Sequence, residues 1–83
     1  MNVDTLNTVV NEIATMMGVP ADSLGADTSL ADIGMDSLEA LQLLIGLERA
    51  MQMEIEEADL KRFTTIQSIV DVLNERFQKA AAA

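Results

Sequence analysis

Asp36-Ser37-Leu38-Glu39-Ala40-Leu41-Gln42-Leu43-Leu44-Ile45-Gly46-Leu47-Glu48-Arg49-Ala50-Met51 reads as one helix that is apolar around more of its circumference than a core contact needs. Asp36 or Ser37 can cap its free amides, and Glu39, three residues after Asp36, completes a capping box. On a helical wheel Leu43, Leu47, Ala50, Met51, Ala40 and Leu44 fall within an arc of about 120°, the width of a core-facing stripe. Leu38, Leu41 and Ile45 form a second stripe at i, i+3 and i+7, turned away from the first and flanked by Glu39, Gln42, Glu48 and Arg49. A small domain cannot easily cover both. Either the chain before the helix folds over the second stripe, or the stripe stays open as an apolar patch rimmed by acids that docks partner proteins.

On the N-terminal side, residues 18–35 carry Gly18, Pro20, Gly25 and Gly34 among Asp, Ser and Thr, a long connection with a short helical turn after Pro20. Leu24, Leu30 and Ile33 are spaced along it as anchors to the core, so an ordered loop is expected. Before it, Leu6, Val9, Val10, Ile13, Met16 and Met17 repeat at helical spacing over 4–17, with Asp4 as cap and Gly18 as stop. On the C-terminal side, residues 52–63 allow a loop and a short helix near 57–61. Thr64 and Gln67 suggest a capping box for a last helix, on which Ile66, Ile69, Val70, Leu73 and Phe77 share a face. The expected fold is all-α: a four-helix bundle of three main helices and one short one, with a long first loop. Residues 1–79 form a single domain in this reading, and 80–83 a disordered tail or expression remnant.

With 83 residues, 49% of them hydrophobic, the chain has room for one modest core. It holds neither Cys nor His, which removes disulfides, thiolate or imidazole metal sites, a Cys nucleophile and a His general base. No catalytic residue and no metal site is therefore assigned. Fourteen acids against five bases give −9, a charge that opposes nucleic acid and anionic membrane and favours basic partners. Residues 1–48 hold eight acids and no base, so the acidic half is the expected contact surface. No window approaches the roughly 18 uninterrupted apolar residues of a membrane span, and the N-terminus lacks the basic and apolar runs of a signal peptide, which fits the cytoplasm; a monomer is expected because no long extra apolar face remains.

A Ser where an irregular loop becomes a helix presents its hydroxyl beside unpaired amides and the positive end of the helix dipole, a setting that suits a phosphate ester. By itself Ser37 is more commonly a plain N-cap. Its context is more specific. The run Ser29-Leu30-Ala31-Asp32-Ile33-Gly34-Met35-Asp36-Ser37-Leu38-Glu39 resembles the prosthetic-group attachment segment of acyl carrier proteins, whose core pattern is Gly, one variable residue, then Asp-Ser-Leu. The resemblance extends over nearly the whole chain, through Phe63-Thr64-Thr65-Ile66 at the start of the last helix. It implies that a separate phosphopantetheinyl transferase moves 4′-phosphopantetheine from coenzyme A to Ser37, and that acyl groups then ride as thioesters on the arm. It also implies that Asp36 helps the transferase recognise the site. Leu38, Glu39, Leu41, Gln42, Ile45 and Glu48 then lie where ketosynthases, acyltransferases and other acyl-processing partners touch the helix through basic and apolar patches. Such a chain is a carrier and not an enzyme: the reactive sulfur comes with the cofactor.

Two positions depart from the fatty-acid members. Gln42 stands where they usually carry an acid, and Arg49 adds a positive charge late in the helix. Met35 before Asp36 is also common in polyketide carriers, so both fatty-acid and polyketide pathways stay open. Met16, Met17, Met51 and Met53 are ordinary core filling or the lining of an acyl cavity. A calcium sensor fails on spacing: with Gly34 at the sixth loop position, Ala31 and Ile33 fall where oxygen ligands are needed. A helical adaptor with Ser37 only as a cap is the alternative from another functional class.

Overall fold

In the computed structural model, which describes residues 2–82 and the side chains of 5–78, the three periodic apolar stripes become three helices: α1 (Asn2–Met17), α2 (Ser37–Met51) and α3 (Ile66–Ala82). A 3₁₀ turn, Ala21–Ser23, follows Pro20, and a 3₁₀ helix, Glu57–Arg62, takes the place of the expected short helix. Among the described residues there is no strand, only an isolated antiparallel bridge between Ser29 and Thr65. The all-α architecture thus agrees with the sequence.

Helix boundaries follow from how each end satisfies its backbone. α1 begins at Asn2, so Asp4 lies inside the first turn instead of capping it; nothing at Asn2 or Val3 breaks a helix. It stops where Gly18 turns left-handed (φ 68°) and the Val19 N–H donates to the Ala14 carbonyl at 3.1 Å. α2 closes in the same way without a glycine: Gln52 takes φ 52°, and the Met53 N–H donates to the Glu48 carbonyl at 3.2 Å. α3 is capped one residue later than expected. The Ser68 N–H donates to Thr65 Oγ1 at 3.1 Å, while the Thr64 carbonyl is engaged by the first loop. At its far end α3 continues to Ala82, into the alanine run assigned to a tail, as suits the strongest helix former. Ala83 lies outside the described residues.

Ile13 of α1, Leu43 and Leu47 of α2, and Ile66, Ile69 and Leu73 of α3 are fully buried. Ala50 sits at the edge of the projected core arc of α2 and is exposed. The long first loop is ordered because its backbone is stitched to the start of α3. The Leu30 N–H donates to the Thr64 carbonyl at 2.9 Å, the Ile66 N–H to the Thr28 carbonyl at 3.1 Å and the Gln67 N–H to the Ala26 carbonyl at 2.9 Å. The last two bonds satisfy amides that an isolated helix would leave open. Leu24 and Leu30 are buried beneath the stitch and Ile33 is half-buried.

The Glu57–Arg62 segment is held to α3 by side chains. Arg62 donates to both carboxylate oxygens of Glu75, at 2.9 and 2.7 Å. Arg76 donates to buried Asp59 at 2.9 Å and to Glu56 at 2.9 Å. Hydrogen bonding to Glu75 holds the Arg62 guanidinium above its ordinary range, and hydrogen bonding to Asp59, then to Glu56, does the same for Arg76.

α1 and α2 approach closely at Gly46, where an added Cβ would meet only the carboxylate end of Glu12 at 2.9 Å. That side chain can swing aside, so Gly46→Ala is expected to raise the unfolding free energy by about 0.5–1 kcal/mol through helix propensity, measured by urea denaturation. Leu30→Ala removes the buried anchor under the stitch. It is expected to lower the same quantity by about 2–3 kcal/mol while leaving far-UV helicity intact.

Candidate functional site

The stitched loop delivers the chain to α2 at a fixed point. After Leu30, turns close from the Asp32 N–H to the Ser29 carbonyl and from the Gly34 N–H to the Ala31 carbonyl, each at 3.1 Å. The Met35 N–H then returns to the Leu30 carbonyl at 3.0 Å. Gly34 has φ 79°, a conformation that a side chain would strain. The next residue but one, Asp36, is extended and caps α2.

The capping box assigns the roles. Asp36 Oδ1 accepts from the Glu39 N–H at 2.8 Å, and Glu39 Oε1 accepts from the Asp36 N–H at 3.1 Å. The cap is therefore Asp36, and Ser37 is the first residue of the helix. Ser37 is exposed, and its hydroxyl enters none of the side-chain hydrogen bonds formed among the described residues. The reading of Ser37 as only an N-cap is thereby overturned, because a neighbouring carboxylate already performs that task.

A cleft of about 460 Å³ opens beside Ser37. Leu30, Met35, Ala40, Leu60 and Phe63 supply its apolar wall, and Ser29, Asp36, Ser37, Lys61 and Thr64 its polar edge. Reading the sequence missed this cleft. Phe63 and Thr64 were visible only as the approach to the last helix, and nothing in the spacing showed that residues 60–64 face residues 35–40. Met16, Met17, Met51 and Met53 are half-buried against the core and are not part of this cleft.

The second stripe of α2 remains open in part. Leu38 is 63% exposed and Ile45 43%, with Gln42 and Arg49 also exposed between and beyond them, whereas Leu41 is half-buried. The first loop therefore does not fold over this surface. Glu39 and Glu48 are half-buried with internal tasks: Glu39 in the capping box, and Glu48 through Oε2, which accepts from the Ile55 N–H at 2.9 Å. The exposed stripe thus runs apolar, neutral, apolar and positive, with its acids set to the side. No group of three or more potential metal ligands occurs among the described residues, and no helix there is long and apolar enough to cross a membrane.

An exposed, unengaged serine at a helix N-terminus, with a cleft beginning at its side, is suited to a phosphate-linked arm. Comparison with known proteins identifies the family. The model of the phosphopantetheine attachment site family matches residues 7–73. An acyl carrier protein of Onion yellows phytoplasma (strain OY-M) is 41% identical over 59 residues, covering 70% of this chain and 78% of that one. Among solved structures, an acyl carrier protein from Thermotoga maritima superposes with a TM-score of 0.81 at 14% identity, over 95% of this chain and 93% of that one. An A1-type ACP domain from module 5 of MLSA1 superposes with a TM-score of 0.77 at 26% identity, over 90% of this chain and 76% of that one.

The chain belongs to the acyl carrier protein family, defined by its phosphopantetheine attachment site. It is a carrier and not a catalyst, and its cofactor is a covalently attached 4′-phosphopantetheine.

Because Asp36 caps α2 through its carboxylate, Asp36→Ala is expected to cost about 1 kcal/mol of stability, and Asp36→Asn, which keeps an acceptor oxygen, only a few tenths. Thermal or urea unfolding of the two variants checks this.

Proposed function

We propose that residues 1–79 form a carrier domain whose Ser37 bears the 4′-phosphopantetheine arm and whose α2 surface presents acyl cargo to the enzymes of fatty-acid or polyketide assembly. The observation that carries this reading is the division of labour at the start of α2: Asp36 closes the helix end and leaves the adjacent Ser37 hydroxyl free beside an open cleft.

In the loading step the Ser37 oxygen displaces the nucleotide portion of coenzyme A at phosphorus. A new P–O bond to Ser37 forms, the P–O bond to the nucleotide breaks, and the serine proton passes to a base of the transferase, since this chain has no His or Cys. The positive end of α2 favours the phosphate once it is in place. The arm supplies the thiol that holds acyl groups as thioesters. The chain's own part is to hold the attachment point and to offer a docking surface.

On that surface Leu38 and Ile45 give an apolar centre, and Asp36 and Glu39 an acidic edge near Ser37. Ketosynthases, acyltransferases and the transferase would meet it with apolar and basic patches. Exposed charges raise the encounter rate without lengthening the complex, which suits a shuttle visiting several enzymes. Gln42 and Arg49 weaken the acidic character farther along α2, which makes them the positions to test for partner preference.

Incubation with coenzyme A, magnesium and a broad-specificity phosphopantetheinyl transferase is expected to add one phosphopantetheinyl group by intact mass, with no addition to Ser37→Ala. Asp36→Asn is expected to lower kcat/KM for the loading step at least about fivefold by loss of one charge at the interface. Unmodified wild-type protein, or modification of Ser37→Ala, would overturn the assignment.

A further inference from the structure

The cleft beside Ser37 has a single cationic side chain in its wall, that of Lys61. The other bases with described side chains are committed or distant. Arg62 is held in two hydrogen bonds by Glu75, and Arg76 by Asp59 and Glu56, while Arg49 sits in the last turn of α2, at the end opposite Ser37. Lys61 is exposed, and none of the ion pairs formed by the described residues includes it. Its backbone is fixed nonetheless, because the Glu57–Arg62 segment that carries it is clamped to α3 on both sides of it, through Asp59 and Arg62.

A phosphodiester on Ser37 adds a permanent negative charge to a neighbourhood that is already acidic. Asp36 lines the same cleft, Glu39 stands in the first turn of α2, and Asp32 lies in the loop before it. The positive end of α2 is partly offset by the Asp36 carboxylate, which engages the Glu39 N–H. We propose that Lys61 is the counter-charge to the phosphodiester on Ser37 and draws the root of the arm across the cleft toward Phe63, away from the exposed Leu38 side of α2. This rests on the reading of Ser37 as the attachment residue. Lys61 then acts as a positioning residue: it sets which way the arm leaves the protein when no enzyme is bound, and a docking enzyme must exchange that charge pair for its own.

The chain has only two lysines, Lys61 and Lys79, so ¹³C labelling at lysine Cε gives two signals, assigned with Lys61→Gln. Both are titrated at low salt in the unmodified protein and after loading, with loading verified by intact mass. The Lys61 midpoint is expected to rise by about half a pH unit on loading, the size of a close charge pair in a water-like dielectric. The Lys79 midpoint is expected to stay fixed, and the Lys61 shift to shrink in about 0.5 M salt. In the loaded protein, Lys61→Gln is also expected to move the ³¹P resonance. Loading without any change at Lys61, or with an equal change at Lys79, overturns this inference alone. Absence of loading overturns it together with the assignment of Ser37.

Discussion

Three backbone hydrogen bonds join the first loop to the start of α3, from Leu30 to Thr64, from Ile66 to Thr28 and from Gln67 to Ala26. They answer two demands at once. A loop running from Gly18 to Asp36 must place its polar backbone somewhere, and the first turn of α3 has amides with no partner inside the helix. Each supplies what the other lacks, and Leu24 and Leu30 are buried in the process. Because α3 carries much of the core, the loop is referenced to the centre of the molecule rather than left to vary at its edge. Ser37, seven residues beyond the last stitched position of the loop at Leu30, inherits that definition.

The opposite wall of the cleft is fixed by different means. The 57–62 segment buries little apolar surface of its own, and side-chain pairs hold it: Arg62 with Glu75, and Arg76 with Asp59 and Glu56. Exposed ion pairs contribute modestly to stability, so their role here is better described as registration, with buried Asp59 the exception that makes Arg76 specific in its position. A backbone stitch on one side and a charge clamp on the other leave an open cleft between them, with Ser37 on its rim. The carrier role proposed for Ser37 draws on this arrangement, which holds that residue steady and accessible on the cleft rim.

Much of this was legible in the sequence, and what was not has a physical reason. Periodicity located all three helices, and the Asp36/Glu39 capping box was readable because it is entirely local. The choice between Asp36 and Ser37 as cap was not, since both residue types accept hydrogen bonds; the geometry gives the role to Asp36 and frees Ser37. The cap of α3 moved from Thr64 to Thr65 because the Thr64 carbonyl is drawn into a long-range bond with Leu30, which no local pattern reports. The same limit hid the cleft: Met35 and Phe63 are far apart in sequence and meet only through the fold. The open stripe at Leu38 and Ile45 was anticipated as one of two alternatives, and it stays open because the first loop is committed to α3. Glu39 and Glu48 read as docking acids, yet each also accepts a backbone N–H, a use that spacing alone reveals only for Glu39.

Native-state amide hydrogen exchange tests the dependence on the stitch most directly. The Leu30, Ile66 and Gln67 amides are expected to exchange only through global unfolding, with protection equal to that of Ile69 and Leu73 in the core and a shared response to denaturant. Rapid exchange of Leu30, Ile66 and Gln67 while Ile69 and Leu73 remain protected would contradict it. It would show that the loop opens independently of α3 and that the position of Ser37 is set by α2 alone.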